Sequence, residues 1–243
     1  MEVVKTLGEM VEFPSNGHTC GGYLATPRSG RGAGVVVIQE WWGLVDHIKN
    51  VCDRLAGEGF VALAPDLFHG DSAGTHEPDK AGKLAQSLKL DEAGRDLAGA
   101  VHWLTQSGRI AGDRVGVVGF CLGGALALFA ASNNPEIAAT VAFYPALGYP
   151  PGKATEPERI QGAVLGHYAT EDGSYTRDEV QELEQRLRES GVDVEFFWYE
   201  NTDHAFFNDT RPEAHHPDAA QLAWDRTVAF FRRHLVTTAT PVG

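Results

Sequence analysis

Positive charge, cysteine and long hydrophobic runs are all scarce in this chain. Of 243 residues, 20 are Lys or Arg against 33 Asp or Glu, a formal net charge of −13. So acidic a chain repels phosphate backbones and anionic lipid, which argues against nucleic acid and membrane as partners. Hydrophobic runs reach only about five to seven residues, as at 125–131, against roughly 20 needed to cross a bilayer. The opening MEVVKTLGEM has no basic segment leading into an apolar run, so no signal peptide is read there. The three cysteines, Cys20, Cys52 and Cys121, fit a reducing compartment in which thiols stay free. A cytoplasmic protein is the expectation. No repeat, low-complexity segment or linker divides the chain, so residues 1–243 read as one domain. Such a length buries about 70–75% of the surface of the unfolded chain and needs no staples.

What is present is an alternation of strands and helices. Short strands are expected at Val3–Val4, 11–13 and 22–25, forming an antiparallel N-terminal edge. From Val35 onward the pattern changes. Residues 35–39 are a nearly continuous apolar run, as in a strand buried on both faces. Residues 48–58 carry apolar side chains at helical spacing (Ile48, Val51, Cys52, Leu55) and stop at Gly59. Further strands are predicted at 60–64, 115–120, 138–143, 161–168 and 194–199. Helices are predicted at 91–104, 122–131, 176–190 and 219–235. Strands joined through single helices imply an α/β fold with a mainly parallel sheet covered on both faces. Two long loops, 66–80 and 144–159, are of the kind that more often carry function than not. Lys153 lies in the second and is expected near the pocket.

The most informative segment is Gly119-Phe120-Cys121-Leu122-Gly123-Gly124, between a predicted strand and a predicted helix. That is the setting of a G-x-nucleophile-x-G elbow, with cysteine as the nucleophile. The turn is tight, so the positions two residues to either side must be almost free of side chain. The Leu122 N–H would then point into an oxyanion hole, and the helix N-terminus would favour a thiolate. The bland alternative is a buried cysteine in a glycine-packed junction. Asp172, just past a predicted strand, and His204, shortly after the next, follow Cys121 in the order nucleophile, acid, histidine used by α/β-hydrolases. Glu171 and Asp203 compete for the acid role; Asp172 is preferred for its place at the strand end. Glu40, directly after a buried strand, is costly to bury unless it serves a turn or a site. Trp41 and Trp42 beside it fit a core or a pocket wall equally well. His215, His216 and Asp218 are read as a solvated loop rather than metal ligands, and no metal or cofactor is expected.

Taken in order, Gln39-Glu40-Trp41-Trp42-Gly43, Ala64-Pro65-Asp66-Leu67, the Cys121 elbow and Asp203-His204-Ala205-Phe206 resemble the dienelactone hydrolase family. Residues 207–212 and 223–227 resemble it too, and the likeness runs from about Val11 to Leu235. It implies an α/β-hydrolase without a separate lid and a triad of Cys121, His204 and Asp172. It also implies that Glu40 holds the resting thiol and takes its proton, and that the N–H groups of Leu122 and Trp41 form the oxyanion hole. The implied substrate is a small ester or lactone. Trp42, His69, Phe206, Asn208 and Arg211 are the expected pocket residues.

Two positions depart from the family, whose namesake enzymes grip a substrate carboxylate with two arginines. This chain has Phe68-His69-Gly70 at the first place and Asn208 at the second. His69 and Arg211 lie nearby as candidate replacements, neither in register. Two other readings stay open. One is a carboxylesterase or thioesterase on the same scaffold; the other is a binding or redox-sensing protein with a reactive cysteine. A monomer or weak homodimer is expected.

Overall fold

The computed structural model describes residues 8–15, 17–148 and 155–236. Val3, Val4 and Lys153 lie outside the described residues. Among these residues, eight strands form one sheet in the order β1-β2-β4-β3-β5-β6-β7-β8. The hairpin of β1 (Glu9–Ser15) and β2 (His18–Ala25) joins β4 (Val61–Pro65) in antiparallel fashion, confirming the expected edge. From β4 across β3 (Gly32–Ile38), β5 (Ile110–Phe120), β6 (Ile137–Phe143), β7 (Ala163–Ala169) and β8 (Val194–Tyr199), neighbours are parallel.

Apart from the link between β6 and β7, each parallel connection returns through at least one α-helix, and these helices cover both faces. These are α1 (Asp46–Gly57), α2 (Pro78–Ser87), α3 (Leu90–Gln106), α4 (Leu122–Asn133), α5 (Arg177–Glu189) and α6 (Pro217–Leu235). The two faces hold separate apolar cores. One contains Val35, Val37, Phe143 and Phe231; the other contains Val36, Ile38, Val117 and Leu126. The alternation of Val35 through Ile38 between them is the period of two expected of a strand buried on both sides. No helix among the described residues is long and apolar enough to cross a membrane.

One element departs from expectation. Residues 66–80 were predicted as loop, yet α2 begins inside that range with Pro78 at its first turn. Proline suits that position because its missing N–H would have had no partner there. Ala81 is the one fully buried residue of α2, with Leu84 and Ala85 packed beside it, but the opening Pro78 and the internal Gly82 read as loop punctuation. The segment 144–159 is helical only in a short 3₁₀ turn at Pro157–Arg159 among its described residues.

His167 on β7 is fully buried. Burial, with Arg226 adding to it, pushes its imidazole down to about 3. It is therefore a neutral core histidine, with Nδ1 2.8 Å from the Tyr199 hydroxyl and Nε2 3.0 Å from Thr227 Oγ1. Those contacts fasten β7 to β8 and α6, directly below the loop that carries Asp172.

Candidate active site

Cys121 links β5 to α4 with φ +56° and ψ −117°, a backbone combination that non-glycine residues rarely adopt. The surrounding structure enforces it. The Cys121 N–H donates to the Phe143 carbonyl at 3.0 Å, and its own carbonyl accepts from Gly124 and Ala146. The flanking glycines are steric necessities. A Cβ on Gly119 would stand 1.9 Å from the Gly123 carbonyl oxygen, and one on Gly123 would stand 2.5 Å from the carbonyl oxygens of Ile38 and Gln39. This close approach sets the start of α4 against the end of β3, and so brings Leu122 beside the Glu40-Trp41 turn. Leu122 opens α4, so its N–H has no acceptor within the helix.

His204 comes from the loop after β8. Its Nδ1 lies 2.7 Å from Asp172 Oδ2. The competing acids are engaged elsewhere. Asp203 accepts the backbone N–H of His204, and exposed Glu171 accepts from the hydroxyl of its neighbour Thr170. Asp172 is further fixed by the Ser174 N–H, and Ser174 Oγ is 3.2 Å from His204 Nδ1. Burial acts to raise the Asp172 carboxyl, but its bonds to His204 and Ser174 hold it below the ordinary carboxylate range. For His204, burial alone would disfavour the imidazolium. The hydrogen bond to Asp172 and the proximity of Cys121 outweigh it and push the ring up to about 10. The imidazole and the carboxylate are thus joined by a hydrogen bond, and Cys121 is close enough to the ring to favour its protonated form.

Behind the elbow lies Glu40, only 1% exposed. Asn208 Nδ2 donates to its Oε2 at 2.7 Å, and the Tyr144 hydroxyl reaches its Oε1 at 3.4 Å. Tyr144, which was not singled out in the sequence, also packs edge-on against the His204 ring at 5.1 Å. Burial, with the negative charge of Glu40 and Cys121, pushes its hydroxyl well above the usual tyrosine range. It therefore remains a neutral donor. Its place just past β6 was the available signal, because open α/β sheets gather ligand-binding groups at their carboxyl ends. Ser174, two residues after Asp172, belonged to no recognisable motif of its own.

The expected pocket residues divide. Arg211 stands over Trp42 at 5.9 Å, with its Nε bonded to Glu213. Trp42 is buried and packs on Ala73 and Ala81, so it supports the site from below, while Trp41 stays half-buried. Phe206 and Asn208 differ from the expectation of open pocket walls. Phe206 is sealed against Tyr199 and Tyr144, and Asn208 is fully buried and committed to Glu40. His69 also differs, because its Nε2 lies 3.2 Å from Asp96. A groove of about 590 Å³ between α3 and α4 is lined by residues such as Gly94, His102 and Phe129, and none of Cys121, His204 and Asp172 borders it.

Replacing Asn208 by alanine should expose the cost of leaving Glu40 Oε2 buried without that donor. The expected loss is about 1–3 kcal/mol in urea denaturation. A change below about 0.5 kcal/mol would mean that the bond does not hold Glu40 in solution.

The other two cysteines do not resemble Cys121. Cys20 and Cys52 are buried, whereas Cys121 is partly exposed. Burial, reinforced by Asp96 and Asp66, pushes the Cys20 thiol up to about 12, and burial likewise pushes Cys52 well up. His216, expected in a solvated loop, accepts the Ala219 N–H and caps α6.

Residues 20–235 match the model of the dienelactone hydrolase family. Protein usf of Aquifex pyrophilus is 40% identical over 236 residues, covering 94% of this chain and all of that protein. A relative from Aquifex aeolicus, provisionally named a carboxymethylenebutenolidase, is 37% identical over 94% of this chain and all of its own length. Among solved structures, a protein from Klebsiella pneumoniae provisionally named a dienelactone hydrolase superposes with a TM-score of 0.83 at 29% identity. That superposition covers 94% of this chain and 99% of the other. The dienelactone hydrolase-like promiscuous phosphotriesterase P91, from metagenomic libraries, gives 0.78 at 26% identity over 93% and 98%. With its mainly parallel sheet, strained elbow and these relatives, the chain belongs to the dienelactone hydrolase family and is a carboxylic ester hydrolase of the α/β-hydrolase fold.

Proposed function

We propose that the chain hydrolyses a small carboxylic ester or lactone through a thioester on Cys121. The observation that carries this reading is the His204–Asp172 hydrogen bond of 2.7 Å beside a cysteine held in the strained, glycine-flanked elbow. Asp172 fixes the tautomer of His204 and stabilises its protonated form.

In the first half-reaction the Cys121 thiolate attacks the ester carbonyl carbon and a C–S bond forms. The N–H groups of Leu122 and Trp41 receive the developing oxyanion, an effect worth roughly 3–4 kcal/mol per donor in comparable sites. The intermediate collapses, the C–O bond breaks, and the leaving oxygen takes a proton from the His204 imidazolium. In the second half, His204 takes a proton from water as its oxygen attacks the thioester. The carboxylic acid departs, and the sulfur returns as thiolate beside a protonated His204. Tyr144 and Asn208 hold Glu40 behind the elbow, where it holds the resting thiol of Cys121 and accepts its proton when substrate arrives, releasing the thiolate.

The substrate reading follows from what occupies the two arginine positions. Asn208 is spent on Glu40 and His69 is turned to Asp96. Arg211 beside Trp42 is the remaining candidate for a substrate carboxylate. A neutral small ester or lactone therefore suits the site better than dienelactone.

Steady-state turnover of 4-nitrophenyl acetate and of dienelactone tests this, with the intact protein weighed after acid quench. Many turnovers of the aryl ester are expected, with an acetyl adduct on Cys121 and a lower kcat/KM for dienelactone. A single stoichiometric acylation without turnover would replace the hydrolase reading by that of a reactive-cysteine sensor. A clear preference for dienelactone would overturn the substrate reading and leave the mechanism standing.

A further inference from the structure

We propose that Asp96, His18 and His69 form a binding site for a borderline divalent transition-metal ion such as zinc, separate from the Cys121 centre. The three residues are far apart in sequence and are brought together by the antiparallel edge of the sheet. Their ligand atoms all lie within 4.8 Å of one another.

The site is assembled by packing. α3 crosses the end of β1 at Gly99, where a Cβ would stand 2.9 Å from the Pro14 carbonyl oxygen. Asp96, one turn earlier on the same face, is thereby driven against the β1–β2 turn. There His18 Nε2 lies 2.9 Å from Asp96 Oδ1, and the Ser15 hydroxyl donates to the same oxygen. His69 arrives from the other side. It occupies the left-handed region at φ +52°, in a turn fixed by Asp66, whose carboxylate accepts the N–H groups of Phe68 and Gly70. Its Nε2 stands 3.2 Å from Asp96 Oδ2, and its ring meets that of His18 edge-on.

Asp96 itself points to a missing partner. Its side chain is fully buried, and Oδ2 has no hydrogen-bond donor among the described residues, although His69 Nε2 is close. A buried carboxylate oxygen without a donor is costly. An ion between Oδ2 and the two imidazoles would satisfy it. Zinc bonds to histidine nitrogen and carboxylate oxygen are about 2.0–2.2 Å, so neighbouring ligand atoms stand roughly 3–3.5 Å apart. The observed spacings suit that with small ring rotations. Two imidazoles and one carboxylate are a borderline donor set that favours zinc, cobalt or nickel over magnesium or calcium. The side chains of His18 and His69 are 38% and 42% exposed, so an ion and its completing waters have access from solvent. Bound there, the ion would clip the β1–β2 hairpin to α3 and to the loop after β4.

The test uses the full chain, stripped with chelator, and zinc or cobalt alone as probe. Competition with a chromophoric chelator should give one zinc per chain. His18→Gln and His69→Gln should each weaken binding by about tenfold or more. Both histidines are partly exposed, so these variants keep the fold even if Asp96→Asn does not. Cobalt should give weak visible bands without a thiolate-to-metal charge-transfer band, as an all-nitrogen-and-oxygen shell requires. Zinc at a hundredfold excess over Kd should raise the Tm of the wild type by about 5–10 °C and leave that of the His variants unchanged. Binding that survives both His substitutions, a thiolate band that disappears in Cys121→Ala, or no retained zinc would each overturn the proposal.

Discussion

Cys121→Ala is expected to lower kcat for aryl ester hydrolysis by about 10⁴-fold or more, while the protein remains folded. Removing the nucleophile of a triad leaves only binding and the oxyanion donors, and losses of roughly 10⁶ are known where such groups act as a unit. The side chain is small and half-buried, so alanine leaves almost no cavity. Alanine also keeps the Cβ, and with it the backbone strain at φ +56°. Glycine at the same position does not. Cys121→Gly should therefore be equally inactive yet more stable than Cys121→Ala, by about 1–3 kcal/mol. Residual turnover above a thousandth of wild type in both variants would assign the chemistry to another group. Equal stability of the two variants would show that the elbow stores no strain in solution.

The second large effect is expected of Asp172→Asn. An amide in place of the carboxylate leaves His204 in the wrong tautomer without a charge to favour imidazolium, and a loss of about 10³–10⁴ in kcat follows. The same variant carries a pH signature. The His204 pKa of about 10 in the folded protein lies above the value near 6.5 of an unfolded chain. Its protonation therefore contributes stability that is complete below about pH 6.5 and is lost as pH rises through about 10. Asp172 is shifted the other way, so its contribution is present above its unfolded pKa and is lost as pH falls below it. The gap in Tm between wild type and Asp172→Asn should be widest near pH 5–6 and close toward pH 10. A gap that stays constant from pH 6 to 10 would separate His204 from Asp172 in energy, whatever their distance.

The local parts of this site were legible because the chemistry demands particular residues in consecutive positions. Only glycine fits at 119 and 123, where a Cβ would collide with backbone, so the elbow is written directly into the chain. The parallel strands were equally readable, since Val35 through Ile38 must be apolar to serve a core on each face. α2 was not, because its opening Pro78 and internal Gly82 read as loop punctuation although Ala81, Leu84 and Ala85 follow a helical period.

Partner selection was beyond the sequence. Glu171, Asp172 and Asp203 are chemically near-equivalent, and only the geometry of two loops brings Asp172 Oδ2 to 2.7 Å from His204. Asn208 and Glu40 are 168 positions apart, and Tyr144 and Glu40 are 104 apart. Such pairs leave no spacing to read, since hydrogen bonds depend on where chain segments return rather than on their order. The same holds for His18, His69 and Asp96, joined by the packing of α3 on β1 and by the turn after β4. The sequence by itself determined the alternating α/β fold and the glycine-flanked elbow at Cys121, because both rest on side-chain size and periodicity. The tertiary structure decided which carboxylate serves His204, what holds Glu40 and where His69 turns, because those are contacts between segments that only folding brings within reach.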